Sequence, residues 1–161
     1  MEFSLREFRA EDFEVLWDVD QRCFPPGIAY PRTDLASYIK RRGSFTVVAE
    51  RAGEKPSVAG FIVAEASRRG VGHIITIDVL PASRRDGLGS KLLAAAEARL
   101  HQAHCHIVVL ETAVDNAPAL AFYKRHHYSV VKVVPRYYST GVDAFVLDKQ
   151  LDGPLPASSG Q

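Results

Sequence analysis

A chain of 161 residues with 47% apolar and 24% charged side chains has the size and composition of one soluble globular domain with a buried core. Twenty basic residues against nineteen acidic ones leave a net charge of +1, which excludes broad electrostatic binding to nucleic acid or an anionic membrane but allows a local basic pocket. No apolar run approaches the ~20 residues that span a bilayer, the charged opening MEFSLREFRAEDF lacks a signal-peptide core, and Cys23 and Cys105 form neither a metal spacing nor a disulfide framework, so a cytoplasmic location is expected.

In chain order, FSLREF alternates as a half-buried strand does, and Asp12 is placed to cap a helix from Phe13 to Cys23. That helix turns Phe13, Leu16, Trp17 and either Val19 or Asp20 to one side. FPPGIAYPR, with three prolines and one glycine, is a loop, and Asp34 or Thr33 is expected to cap a short second helix through Ile39. SFTVVAE and SVAGFIVAEAS, joined by AGEKP, and GHIITIDVL after RRG read as an antiparallel meander of three strands.

From Ser90 to His101 the pattern becomes helical, with Leu92, Leu93, Ala96 and Leu100 on one face. HIVVLETAV then reads as a strand covered on both faces. Strand, helix, strand implies a right-handed crossover and a parallel pair inside an otherwise antiparallel sheet. A helix over Ala117–His126 and strands YSVVKVVP and DAFVLDKQL, linked by RYYSTGV, complete the pattern. The expected fold is α+β: a mixed, mostly antiparallel sheet of about seven strands with about four helices, over residues 1–150. The tail 151–161, rich in proline, serine and glycine, is expected to be disordered.

The junction HIITIDVLP–SRRDGLGSKLL is a glycine loop opening a helix. A Walker loop fails because no glycine precedes GSK by five residues, and a dinucleotide fingerprint fails because its third glycine position is Leu92. What remains, from Arg84 through Gly87 to Gly89, suits an anion: the glycines admit close backbone approach and the helix-start amides point outward. Turn glycines with solvated arginines would give the same text. Farther on, Asn116 and Tyr123 stand two helical turns apart. Glu111 shares a strand face with Ile107 and Val109, where a carboxylate tends toward a raised pKa and so toward base catalysis. A strand-end glutamate reaching water and a core tyrosine are the plain alternatives. His101, His104 and His106 read as solvated turn histidines, and no metal is expected.

Three segments in order, GHIITIDVLPASRRDGLGSKLL, LETAVDNAPALAFYKRHHY and RYYSTGVDAFVL, make residues 1–150 resemble the GCN5-related N-acetyltransferase (GNAT) superfamily, nearest its ribosomal-protein alanine acetyltransferases and N-terminal acetyltransferase catalytic subunits. The resemblance implies a sheet that splays between its fourth and fifth strands to admit acetyl-CoA. It assigns the backbone of Ile77 and Val79 to the pantetheine arm, Arg84, Arg85, Asp86, Gly87, Leu88, Gly89 and Ser90 to the pyrophosphate, and Asn116 to pantetheine. Glu111 matches the general base, with His73 as possible relay, and Tyr123 the hydroxyl that protonates the leaving sulfur. Phe24, Pro25 and Tyr30 of the first loop, and Tyr137 and Tyr138 of the last hairpin, fall on the acceptor side. Strand alternation turns Tyr137 and Tyr138 opposite ways, one packing and one touching substrate.

Three positions depart from the family pattern. His127–Tyr128 replaces glycine–phenylalanine, so His127 is expected in the left-handed region; Asp78 stands where a small apolar residue is usual; and His73 stands where some relatives carry tyrosine. The implied activity is transfer of acetyl to a primary amine, best matched by the α-amine of a peptide or protein. A small-molecule amine, or a non-catalytic acyl-CoA-binding module, is the alternative. Neither nucleic acid nor membrane is an expected partner, and the oligomeric state is left open.

Overall fold

The computed structural model describes residues 2–151. Among these, the elements run β1 (Phe3–Glu7), α1 (Phe13–Cys23), α2 (Arg32–Lys40), β2 (Ser44–Arg51), β3 (Ser57–Ala66), β4 (Val71–Val79), α3 (Leu88–Gln102), β5 (Ile107–Ala113), α4 (Ala117–Arg125), β6 (Ser129–Val134) and β7 (Ala144–Gln150), with 3-10 turns at Ala10–Asp12 and Pro81–Asp86. The seven strands form one sheet in the order β1-β2-β3-β4-β5-β7-β6. Pairs β1/β2, β2/β3, β5/β7 and β6/β7 are antiparallel and β4/β5 is parallel, the mixed sheet the strand–helix–strand segment demands. The expected tail lies outside the described residues, apart from Leu151.

The Cα positions group into two compact units. The first holds the chain up to Glu65 and Ile74–Ala96. Its core is Leu16 and Val19 of α1, Leu35 of α2, and Val48, Phe61 and Val63 of β2 and β3. The choice between Val19 and Asp20 resolves as both: Val19 is buried and Asp20 has no exposed surface. Gly60 on β3 is required by close approach, since a Cβ there would lie 2.4 Å from the Asp78 carbonyl oxygen.

Two cap expectations are corrected here. Asp12 precedes α1 but its side chain makes no cap bond to that helix. Its carboxylate instead takes both arms of Arg6 at 2.8 Å and the Arg9 amide at 2.7 Å, since a charge-assisted bidentate bond outweighs a single cap bond. Arg6 accordingly holds the Asp12 carboxyl below its ordinary range. Helix α2 starts at Arg32, behind Pro31 rather than Thr33 or Asp34, because proline's fixed φ suits the entry to a helix.

The second unit holds Ala66–His73 and the described residues from Glu97 onward. β5 buries Val108, Leu110 and Thr112 but leaves Ile107, Val109 and Glu111 half-covered, so it is sealed on one face, not both. His127 takes the left-handed conformation at φ 73°, which the missing glycine foretold. Tyr128 after it is buried and donates its hydroxyl to Glu97 at 2.7 Å, while Lys149 reaches the other Glu97 oxygen at 2.9 Å. Burial, reinforced by the Glu97 charge, pushes the Tyr128 phenol up.

Candidate active site

In the first unit the strand β4 ends at Val79, and a 3-10 turn leads to Gly87, which adopts φ 74°. A Cβ on Gly87 would meet nothing within 4 Å, so glycine is there for its left-handed backbone and not for space. Lys91 is the first amide of α3 with a helical acceptor, the Gly87 carbonyl at 3.2 Å. The amides of Gly87, Leu88 and Gly89 before it have no acceptor within the helix by its geometry. Leu88 is fully buried and anchors this turn, while Arg84, Arg85 and Asp86 are exposed. Arg84 is partly committed: its Nε donates to the Val79 carbonyl at 2.8 Å. Together, outward amides at a 15-residue helix start and the exposed Arg85 guanidinium fit a diphosphate.

Ile77 and Val79 face outward on β4, alternating with buried Thr76 and Asp78. The Val79 carbonyl accepts the Cys23 thiol at 3.4 Å as well as Arg84. Burial, then the nearby Asp78, pushes the Cys23 thiol up to about 11, which keeps it a donor and not a nucleophile.

In the second unit, β4 and β5 pair parallel with His73 opposite Val109. Glu111, two residues past Val109, therefore shares a sheet face with His73. The pair closes as a hydrogen bond of 2.8 Å from His73 Nε2 to Glu111 Oε1, with the side chains 33% and 20% exposed. Asn116 is not inside α4 but is its N-cap: Oδ1 accepts the Ala119 amide at 3.2 Å, which leaves the side-chain NH2 as the group it presents. Tyr123 is buried, with its ring edge-on to Phe122 and Tyr128 at 5.3 and 5.9 Å.

The last hairpin corrects one expectation. Tyr137 and Tyr138 do not turn opposite ways, because this stretch is a turn with Arg136 at φ 50° and strand alternation does not apply. Their rings meet edge to face at 4.9 Å, Tyr137 exposed and Tyr138 half-buried. Burial, then the charges of Tyr137 and Glu111, push the Tyr138 phenol up, which places Tyr138 in the electrostatic reach of the His73–Glu111 pair.

On the first loop Phe24 and Tyr30 are half-buried and Pro25 is exposed. Tyr30 is held at every polar atom: its amide donates to Asp20 Oδ2 at 2.7 Å, its carbonyl accepts Trp17 Nε1 at 3.1 Å and Gln21 Nε2 at 2.8 Å, and its hydroxyl donates to the Ile75 carbonyl at 3.1 Å. Asp20, expected only as the alternative to Val19 on the apolar side of α1, carries the loop; its signal in the sequence is a carboxylate within a helical apolar stripe. Among the described residues no group of three or more His, Cys, Asp or Glu is placed to hold a metal, and no helix is long and apolar enough to cross a membrane.

Comparison with known proteins gives the family. The model of the acetyltransferase (GNAT) family matches residues 13–128. A Methanocaldococcus jannaschii protein described as an uncharacterized N-acetyltransferase is 31% identical over 94% of this chain and 96% of its own. The N-alpha-acetyltransferase of Saccharolobus solfataricus is 27% identical over 93% of this chain and 94% of its own. The crystal structure of Ard1 from Thermoplasma volcanium superposes with a TM-score of 0.83 at 26% identity, covering 93% of this chain and 98% of that one.

Proposed function

The chain belongs to the acetyltransferase (GNAT) family and is an acetyl-CoA-dependent acetyltransferase, and from that premise we propose that its acceptor is the N-terminal α-amine of a protein or peptide. The observation that carries the reading is the half-exposed His73–Glu111 hydrogen bond of 2.8 Å, a base with its partner open to solvent. An amine attacks a thioester only when neutral. An α-amine with pKa ~7.7–8.0 needs ~1 kcal/mol to lose its proton at pH 7, whereas a lysine near ~10.4 needs ~4.6 kcal/mol. A carboxylate working through water meets the smaller demand, and Glu111 takes that proton with His73 as relay.

Acetyl-CoA supplies the activated acetyl group. The amides of Gly87, Leu88, Gly89 and Ser90, with Arg85 and the free arm of Arg84, hold its diphosphate. In the first unit the backbone of Ile77 and Val79 is assigned to the pantetheine arm and the Val79 amide to the developing oxyanion; in the second the Asn116 amide is assigned to pantetheine. Tyr123 hands a proton to the departing sulfur. Phe24, Pro25 and Tyr30 of the first unit are assigned to the acceptor, as are Tyr137 and Tyr138 of the second.

Acetyl transfer to a panel of peptides with free N-termini, blocked N-termini bearing lysine, and free small amines tests the reading. Turnover confined to free N-termini is expected. Turnover of small amines alone reassigns the acceptor, and tight CoA binding without any transfer reduces the protein to a binding module. Full activity in both Glu111→Gln and Tyr123→Phe overturns the assigned roles.

A further inference from the structure

Two carboxyl groups lie sealed in the first unit, Asp20 of α1 at 0% and Asp78 of β4 at 1% exposure. One oxygen of each is satisfied: Asp20 Oδ2 by the Tyr30 amide at 2.7 Å, Asp78 Oδ1 by the Thr76 hydroxyl at 2.5 Å. The other two, Asp20 Oδ1 and Asp78 Oδ2, are fully buried and find no donor, although the two carboxyl groups are within hydrogen-bonding reach of one another. Two acceptors do not bond to each other. A proton placed between them turns both orphan atoms into one hydrogen bond.

We propose that Asp20 and Asp78 share one proton, and that this proton fixes the acceptor-side loop by holding Asp20 Oδ2 under the Tyr30 amide. The proposal rests on the acceptor reading given above. Asp20 is the joint: one oxygen faces β4 through Asp78, the other carries the loop at Tyr30, whose hydroxyl ties back to Ile75 of β4. Loss of the proton leaves two buried anions in contact, and the arrangement opens by moving Asp20 and with it Tyr30. Asp20 and Asp78 are thus positioning residues and touch no substrate.

The direction of the pH response follows from the surroundings. Burial foremost, then Asp20, raises the Asp78 carboxyl well above its ordinary value, while Thr76 and Arg84 pull it back. The titratable and charged groups facing the pair are the Cys23 thiol from α1 and Arg84 from the 3-10 turn. β3 brings only backbone at Gly60 against the Asp78 carbonyl. The loop is therefore held at low pH and released as pH rises through the raised value.

Trp17 is the chain's only tryptophan, and its indole N–H donates to the Tyr30 carbonyl at 3.1 Å, so its emission reports the loop without cofactor or acceptor. Emission of the full chain titrated upward should shift red in a single one-proton step above the ordinary carboxylate range. Asp78→Asn, whose amide N–H replaces the proton at every pH, should abolish the step. The acceptor KM of the wild type should rise about fivefold across the same step, the factor for one ordinary hydrogen bond, with kcat following the same profile in both proteins. The same step in Asp78→Asn overturns the proposal. Should that variant not fold, the carboxyl carbon resonances of 13C-aspartate in the wild type decide: all ionising in the ordinary range overturns the shared proton, and one ionising above it supports it. Because emission and carbon shifts need no acetyl transfer, a wrong acceptor assignment leaves them unchanged.

Discussion

Glu111 on β5 and Asp78 on β4 are both strand carboxyls with a side-chain partner, yet they are built for opposite tasks. Glu111 meets a histidine, and both side chains of that pair reach solvent. Asp78 meets a second carboxyl, and neither residue of that pair has more than 1% of its surface exposed. A proton on the first pair has a path to water, as the proposed base requires; a proton on the second has nowhere to go without the fold opening. Access and partner chemistry, more than residue type, separate an acid–base site from a structural latch.

The sharpest way to break the comparison is to remove one charge from each pair. Glu111→Gln keeps the shape and removes the base, so acetyl transfer at saturating substrate should fall about 10²–10⁴-fold. CoA affinity by calorimetry should hold, because the groups proposed for the diphosphate, the helix-start amides with Arg84 and Arg85, belong to another segment. Asp20→Ala should do the reverse. It strands the Tyr30 amide and an Asp78 oxygen, each costing about 1–3 kcal/mol in urea unfolding. A kcat loss in Asp20→Ala as deep as that of Glu111→Gln, with stability intact, would reverse the two roles.

The pH dependence of stability sharpens the same contrast. For Asp78 the folded-state pKa lies above the ordinary 3.8, so the native state binds more protons than the unfolded chain between those two values. Its stabilising contribution is complete below 3.8 and is lost as pH rises through the folded value. The slope reaches at most about 1.4 kcal/mol per pH unit for one proton. Subtracting the unfolding free energy of Asp78→Asn from that of the wild type across pH should isolate a difference that falls with rising pH. Asp12 carries the opposite sign: Arg6 lowers its pKa, so its contribution is present at higher pH and lost on acidification. Asp12→Asn should therefore flatten the acid side only.

How much of this could be read in the sequence follows from the distance over which each feature is decided. The glycine loop was legible because its chemistry is local: a left-handed glycine and a helix start suffice to aim amides outward. His127 was legible for the same reason, as a left-handed position lacking its glycine. The Asp20–Asp78 pair was not, because it joins a helix residue to a strand residue 58 positions away, and only packing brings them together. Asp20 in its apolar stripe and Asp78 at an inward strand position each carried half of the signal. Tyr137 and Tyr138 depart from the expectation because alternation holds along a strand and these residues lie in a turn. Asp12 showed how a cap residue is drawn off by a stronger local partner, here Arg6.

The finest distinction concerns His73, which either relays a proton or only steers Glu111. His73→Gln tests it, since the glutamine amide can still donate to Glu111 Oε1 but cannot titrate. If the histidine relays, the glutamine variant transfers acetyl about five- to tenfold more slowly, an effect of about 1–1.4 kcal/mol, and one limb of the wild-type pH–rate profile disappears. If it only orients, glutamine restores the rate and the profile keeps its shape, while His73→Ala stays slow. The half-exposed geometry favours the relay, because a residue needed only to orient a carboxylate gains from burial, whereas one that passes a proton onward needs a path to water. The Asp20–Asp78 pair makes the complementary case: it orients Tyr30, and it is sealed.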